Sequence, residues 1–208
     1  MKRTKSGKAW MMEHVNDPFV KRAQAEGMRS RAAYKLDQIA AKDHLLKPGM
    51  LVVDLGAAPG GWSQVAGQMV GPNGRVIAVD LLEVAPVANV TVLRGDFSED
   101  AVLQAVEREL AGKQADLVLS DMAPNISGIA LVDQARGMGL AELALDFAQK
   151  HLKPQGNFLV KCFHGEGFEP FVAAMRRVFV KVVVRKPEAS RSRSNEVYLL
   201  GTALKAVV

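Results

Sequence analysis

The chain of 208 residues contains one cysteine and no long apolar run. A lone cysteine, Cys162, excludes an internal disulfide, and the four histidines show no metal-ligand spacing with it. No apolar stretch approaches the roughly 20 residues that a transmembrane helix needs, and the segment Met1 to Lys8 is followed by no apolar signal core. We therefore expect a soluble, cytoplasmic protein with neither a disulfide scaffold nor a metal site.

The length and the 49% hydrophobic composition suit one substantial core. No domain linker or internal repeat interrupts the chain, so we expect a single domain over residues 1–208 and, by default, a monomer. Residues 1 to about 15 are polar and lack periodicity, which predicts a mobile arm.

Positive charge is concentrated near the two ends of the chain. Residues 1–35 hold nine Lys and Arg against three Asp and Glu, a local charge of +6 in a chain of net charge +5. A second basic stretch runs from Arg176 to Arg193, with Glu188 as its local acid. Such clustering is typical of a surface that binds a polyanion by displacing the counterions of its phosphates, and solvated surface charge is the alternative.

Short β-type runs alternate with helical segments. A helix is predicted from about Ser30 to Lys42, with Leu36, Ile39 and Ala40 on its apolar stripe. Strands are predicted at Leu51 to Leu55, Arg75 to Asp80, Val90 to Leu93, Ala115 to Asp121, Asn157 to Cys162, Phe179 to Arg185 and Glu196 to Gly201. This alternation predicts an α/β fold with a mainly parallel sheet covered on both faces, and a last strand that returns antiparallel to its predecessor.

Charged residues recur where the predicted strands end. Ligands of open α/β sheets collect beyond the carboxyl ends of the strands, and Glu196 would start its antiparallel strand from the same edge. The residues that share this edge are Asp54, Asp80, Asp96, Asp121, Lys161 and Glu196. We therefore predict the functional site at this edge.

The first strand runs into a glycine-rich turn, Gly56-Ala-Ala-Pro-Gly-Gly61. This turn is not the dinucleotide pattern G-x-G-x-x-G, and Pro59 removes a backbone donor that a pyrophosphate would use, which disfavours NAD and FAD. Gly60 would let a ligand approach the backbone, and Trp62 would offer a flat apolar wall.

Two carboxylates complete the predicted cofactor site. Asp80, about 20 residues beyond the turn, suits a ribose diol, and Asp96 could accept a hydrogen bond from an adenine amino group. These contacts describe an adenosine without phosphates, and S-adenosylmethionine fits best because its positive charges favour an acid-lined pocket. Taken singly, each Asp could be a loop or helix cap and Trp62 a core residue.

Three motifs resemble the FtsJ/RrmJ family of ribose 2′-O-methyltransferases. They are Asp54-Leu-Gly-Ala-Ala-Pro-Gly-Gly-Trp-Ser63, Ser120-Asp-Met-Ala-Pro-Asn125 and Val160-Lys-Cys-Phe-His-Gly-Glu-Gly167. The outer segments Arg29 to Lys35 and Arg185 to Glu196 are similar to the family as well. The resemblance implies a Rossmann-like, S-adenosylmethionine-dependent methyltransferase fold, with a mainly parallel seven-stranded sheet and one antiparallel strand.

The family's catalytic lysine, aspartate, lysine and glutamate correspond to Lys35, Asp121, Lys161 and Glu196. A ribose 2′-hydroxyl is a weak nucleophile until it loses its proton, so the enzyme mainly needs a base and an aligned approach. Lys161 is our choice for the base, since partial burial and the nearby ammonium of Lys35 should disfavour its charged form. Asp121 and Glu196 would hold the two lysines, and no metal is needed.

The same resemblance assigns the cofactor contacts to Gly60, Trp62, Asp80, Asp96 and Asp121. Read without the family, Lys35 is more simply a surface lysine beside the apolar stripe, and Glu196 could pair with Arg191 or Arg193. The chain departs from the family at Cys162, which we interpret as a small core residue, and at His164, which would add a titratable group near Lys161.

By family analogy, the substrate is a uridine of the peptidyl-transferase A-loop in 23S rRNA, within an assembled large (50S) ribosomal subunit. The basic arm and Arg176 to Arg193 would position the RNA through its phosphates. A tRNA or mRNA-cap methyltransferase and a non-catalytic RNA-binding assembly factor remain as alternatives. The assembly factor would not require the four catalytic residues together.

Overall fold

The structure is a computed structural model that describes residues 15–206. The predicted N-terminal arm therefore lies almost wholly outside the described residues. The helices with both ends in this part are α1 (Pro18–Ala25), α2 (Ala32–Asp43), α3 (Gly61–Val70), α4 (Asp100–Leu110), α5 (Ala130–His151) and α6 (Phe168–Val178). The strands are β1 (Leu51–Leu55), β2 (Arg75–Asp80), β3 (Val90–Arg94), β4 (Ala115–Ser120), β5 (Leu152–Phe163), β6 (Phe179–Arg185) and β7 (Glu196–Leu204).

The seven strands form one sheet in the order β3-β2-β1-β4-β5-β7-β6. Strands β1 to β5 pair in parallel, whereas β7 lies antiparallel between β5 and β6. The predicted α/β fold, with a mainly parallel sheet and an antiparallel last strand, is confirmed. The strand bounds were predicted to within a few residues, apart from β5, which begins at Leu152 rather than Asn157.

Side chains alternate between two apolar layers on the two faces of the sheet. On one face, Val53, Val118 and Phe158 pack in the layer that α4, α5 and α6 cover. On the other face, Val52, Leu117 and Leu159 pack in the layer that contains Leu36 of α2 and Val65 of α3. Buried layers on both sides explain the nearly continuous apolar runs of the central strands.

Helix α1 was not predicted, although its start carries a sequence signal. Asp17 caps the helix by accepting hydrogen bonds from the backbone N–H groups of Phe19 (3.0 Å) and Val20 (3.4 Å), and Pro18 occupies the first helical position. The guanidinium of Arg31 then pairs with the Asp17 carboxylate and fixes α1 beside α2. Within residues 15–206, no helix is long and apolar enough to cross a membrane.

Candidate active site

The charged residues predicted at the sheet edge do lie there, one strand after another. Asp96 follows β3, Asp80 ends β2, Asp54 lies in β1, Asp121 follows β4, Lys161 lies in β5 and Glu196 opens β7. This sequence of residues follows the order of the strands across the sheet. Asp121 is tied to the neighbouring strand by its N–H, which donates to the carbonyl of Leu55 at 3.0 Å.

The alternation of side chains places the catalytic candidates on one face. Leucines on the same strands pack in the layer under α2 and α3, namely Leu117, Leu119, Leu159 and Leu200. Asp121, Lys161 and Glu196 are each an even number of residues from these leucines and so project from the same face of the sheet. Strand pairing adds that Lys161 stands opposite Tyr198, two residues after Glu196. These side chains therefore point toward the helix that carries Lys35.

The four catalytic candidates form two adjacent ion pairs. The Nζ of Lys35 donates to Oε1 of Glu196 at 2.7 Å, and the Nζ of Lys161 lies 3.2 Å from Oδ1 of Asp121. Lys161 also donates to the backbone carbonyl of Asp121 at 2.5 Å. Only 8% of the Lys161 side chain and 13% of the Lys35 side chain are exposed, so Lys35 is not the surface lysine that the sequence alone favours. Both lysines are anchored by carboxylates.

Glu196 is held as a carboxylate by its surroundings. Burial acts to raise its pKa, but the charge of Lys35, the hydrogen bonds from Lys35 and Ser190, and the charge of Lys161 outweigh it and lower the pKa. The hydroxyl of Ser190 donates to the same Oε1 at 2.9 Å. Glu196 is thus a fixed negative charge between two ammonium groups.

Asp54 lies beneath this cluster and is fully buried. Its Oδ2 accepts a hydrogen bond from Ser63 in the first turn of α3 at 2.6 Å, while Oδ1 has no hydrogen-bond partner. Burial, with a smaller contribution from the charges of Asp121 and Asp80, raises the pKa of Asp54 to about 7, although the Ser63 hydrogen bond acts the other way. A buried acid of this kind favours a positively charged neighbour.

The predicted cofactor residues surround the turn between β1 and α3. The carboxylate of Asp80 accepts hydrogen bonds from the backbone N–H groups of Ala58 (2.9 Å) and Leu82 (2.8 Å), which fix its orientation beside the turn. Just beyond the next strand, Asp96 is half-buried, and its Oδ1 accepts hydrogen bonds from the N–H (2.9 Å) and the hydroxyl (2.7 Å) of Ser98.

Two glycines shape the turn itself. A Cβ on Gly56 would lie 2.7 Å from the backbone nitrogen of Met122, and Gly60 has a φ of 107°, in the region that side chains disfavour. The compact glycine turn and the carboxylates of Asp54, Asp80 and Asp96, at the ends of three neighbouring strands, fit a cationic adenosine cofactor such as S-adenosylmethionine.

Trp62 differs from its sequence-based interpretation. Its side chain is only 2% exposed, its Nε1–H donates to the carbonyl of Ala32 at 2.8 Å, and its ring packs 5.5 Å from that of Tyr198. The indole is therefore a core side chain, not an open wall, because its position in α3 faces the apolar layer. The predicted contact of Trp62 with the cofactor stays a prediction, and its backbone N–H in the first turn of α3 is the group best placed for it.

The two departures from the family lie differently. Cys162 is buried with 2% exposure, and burial raises the pKa of its thiol to about 12, which agrees with a core role. His164 is exposed, lies just beyond β5 and packs its ring 4.5 Å from that of Phe168.

Tyr198, Ser190 and Ser63 were not singled out from the sequence. For Tyr198 a signal existed, because it shares a strand face with Glu196.

Fold and site together define a Rossmann-like methyltransferase of the α/β class. The sequence model described as FtsJ-like methyltransferase matches residues 28–204, and the chain belongs to this family.

Individual proteins agree with this assignment. The chain is 64% identical to a ribosomal RNA large subunit methyltransferase E of Azoarcus sp. (strain BH72), over 99% of this chain and 100% of that protein. It is 60% identical to the protein of the same name from Nitrosospira multiformis, over 97% of this chain and 98% of the other. A solved structure from Plasmodium falciparum, assigned as a ribosomal RNA methyltransferase, is 26% identical with a TM-score of 0.77, covering 86% of this chain and 100% of that one.

Proposed function

We propose that this protein uses S-adenosylmethionine to methylate the ribose 2′-hydroxyl of a uridine in the A-loop of 23S rRNA, within the large ribosomal subunit. The observation that carries the proposal is the pairing of Lys161 with Asp121 and of Lys35 with Glu196 at the cofactor edge of the sheet. Relatives named for large-subunit rRNA methylation, 60% and more identical over nearly the whole chain, support the rRNA substrate. We also propose a monomer that acts in the cytoplasm.

The chemistry requires a base beside the ribose and a methyl donor in line with it. S-adenosylmethionine supplies an activated methyl group when bound. Lys161 first releases one proton to solvent, and its neutral Nζ then takes the proton of the 2′-hydroxyl, while Asp121 fixes that nitrogen through both its carboxylate and its backbone carbonyl. Lys35, anchored on Glu196, adds a positive charge that stabilises the oxygen as it becomes anionic.

The cofactor is held by residues on the other half of the edge. Asp80 would accept hydrogen bonds from the ribose of the cofactor and Asp96 from its adenine, with Gly60 and the N–H of Trp62 against the methionine part. Asp121, between the two halves, would contact both the donor and the base. This division matches the strand order, with β1, β2 and β3 on the cofactor side and β4, β5 and β7 on the catalytic side.

The test is transfer of labelled methyl from S-adenosylmethionine to purified large subunits that lack the modification, mapped by primer extension sensitive to 2′-O-methylation. We expect Lys161→Ala to lower the rate at least 100-fold, because a general base typically contributes a factor of ~10²–10⁴. Lys153→Ala is the matched control, because Lys153 lies in the same strand but pairs with Asp116 at the opposite end.

The alternatives give different results in the same assay. Transfer to tRNA but not to subunits would retain the chemistry and reject the rRNA substrate. Subunit binding without any transfer would favour a non-catalytic assembly factor. Equal rates for Lys161→Ala and Lys153→Ala would reject Lys161 as the base.

A further inference from the structure

The hydroxyl of Tyr198 lies between the two carboxylates of the catalytic cluster. It is 3.1 Å from Oδ1 of Asp121 and 3.2 Å from Oε1 of Glu196. These are the same two oxygen atoms that contact Lys161 and Lys35. A continuous set of polar contacts therefore runs from one lysine to the other through this single hydroxyl.

The ring of Tyr198 is held in place as firmly as its hydroxyl. The residue has no exposed surface, and its ring packs against Trp62 at 5.5 Å between centroids. The ammonium of Lys35 lies 5.7 Å from the centre of the same ring, within the range of a cation–π contact. Pairing with β5 sets Tyr198 directly opposite Lys161. The hydroxyl can therefore not move far without displacing the core.

We propose that Tyr198 is a positioning residue for the methyl transfer, whose hydroxyl sets the placement of Asp121 and Glu196 and, through them, of Lys161 and Lys35. This inference rests on the proposed function. A hydroxyl has one hydrogen and donates it to one carboxylate at a time. Both carboxylates lie within reach of this hydrogen. A carboxylate that rotates out of its position gives up this possible donor, and an unpaired oxygen is costly in a buried site.

Asp121 and Glu196 act on this hydroxyl directly, and the charged groups around it and around these two carboxylates determine how its loss affects the pH dependence. They are Lys35 from α2, Asp54 from β1, Asp121 after β4, Lys161 from β5, Glu196 from β7 and Lys186, whose Nζ donates to the backbone carbonyl of Glu196. A hydrogen bond to a carboxylate favours its ionised form, so removal of the donor raises the pKa of Glu196. The acid limb of the kcat profile should then move to higher pH.

The experiment compares Tyr198→Phe with Tyr34→Phe, using modification-free large subunits and labelled S-adenosylmethionine. Tyr34 is a matched control because it is also buried and its hydroxyl also donates to a glutamate, Glu26 at 2.8 Å, away from the catalytic cluster. We expect kcat of Tyr198→Phe to fall about 10-fold to 100-fold, the size of effect that follows a misplacement of about 1 Å. KM for subunits should stay within about twofold, since no RNA contact is removed.

Wild type and Lys161→Ala are assayed alongside, well below the Tm of the least stable variant. Absence of transfer by wild type would reject the proposed function itself. An active wild type with equal kcat and an unmoved acid limb in Tyr198→Phe would reject the positioning role alone. In a Glu196→Gln background the Tyr198→Phe loss should shrink, and a fully additive loss would also overturn the inference.

Discussion

Lys35 and Glu196 are 161 positions apart in the sequence, and their charged atoms lie 2.7 Å apart in the structure. The pair joins α2 to the first residue of β7 and so closes the helix over the edge of the sheet. Both side chains are largely buried, with 13% and 14% exposed. In such a setting, removal of one partner leaves the other charge without compensation.

Glu196→Gln should lower the free energy of unfolding at neutral pH and reduce the loss of that free energy as the pH falls. The pKa of Glu196 is below the ordinary 4.5, so its stabilisation is present above that value and is lost as pH falls through the lower folded pKa. We expect the variant to be less stable by about 1–3 kcal/mol at pH 7, with a smaller difference at pH 3. Urea unfolding at both pH values measures this. Glu26→Gln, which removes an exposed ion pair with Arg22 but keeps an acceptor for the Tyr34 hydroxyl, should change little. A constant deficit for Glu196→Gln at both pH values would contradict the pKa direction.

Asp54→Asn should have the opposite pH dependence. The folded pKa of Asp54 is about 7, above the ordinary 3.8, so its contribution to stability is fully present below 3.8 and is lost as pH rises through 7. From pH 5 to pH 8, the stability of the variant relative to wild type should therefore rise by about 1–4 kcal/mol. Thermal unfolding of the cofactor-free protein across this range measures the effect, and a relative stability independent of pH would show that Asp54 is ionised throughout.

The sheet and most of the site could be predicted because they follow from local patterns. Apolar runs end at Asp80, Asp121 and Lys161, and the period of two fixes which face each residue occupies once a neighbour is known to be buried. The surroundings of Lys35 and Trp62 could not be predicted in the same way. Lys35 depends on how α2 sits over β7, and Trp62 depends on which side of α3 faces the core, so both are set by contacts between segments distant in sequence.

Gly60→Ala should weaken cofactor binding, because the added methyl group would clash with Arg29 and would strain the backbone. A Cβ there would lie 2.6 Å from Nη1 and 2.9 Å from Cδ of Arg29, whose guanidinium donates to the carbonyls of Ala85 (2.5 Å) and Pro86 (2.7 Å). The variant must displace this arginine beside the turn. We expect a loss of stability of about 1–3 kcal/mol from the positive φ and at least a tenfold loss of S-adenosylmethionine affinity, on the order of 1.4 kcal/mol.

Gly112→Ala separates the two causes. Gly112 also has a positive φ, 75°, but a Cβ there would meet nothing within 4 Å. It should lose a similar amount of stability while binding S-adenosylmethionine as wild type does. Calorimetric titration of the three proteins measures the affinity, and equal affinities for wild type and Gly60→Ala would show that the cofactor does not use this part of the turn.

The C-terminal basic stretch should contribute to RNA binding only at one of its ends. Phe179, at the start of β6, pairs with Leu204, whereas Arg185, at its end, pairs with Tyr198 beside the catalytic cluster. Seven residues of strand, roughly 20 Å, therefore separate Arg177 from the edge where Arg193 precedes Glu196. The basic stretch from Arg176 to Arg193, which is predicted to position RNA through its phosphates, thus extends from one edge of the sheet to the opposite edge.

Arg193→Ala should accordingly weaken binding to large subunits and reduce the slope of log affinity against log salt by about one, the value for one lost phosphate contact. Arg177→Ala removes the same charge and should change the affinity less than about twofold, which separates a local contact from the effect of net charge. Filter binding from low to high salt measures both slopes. If the two variants lose affinity equally, RNA binding depends on the net positive charge of the protein and not on a phosphate contact at the edge that carries the catalytic cluster.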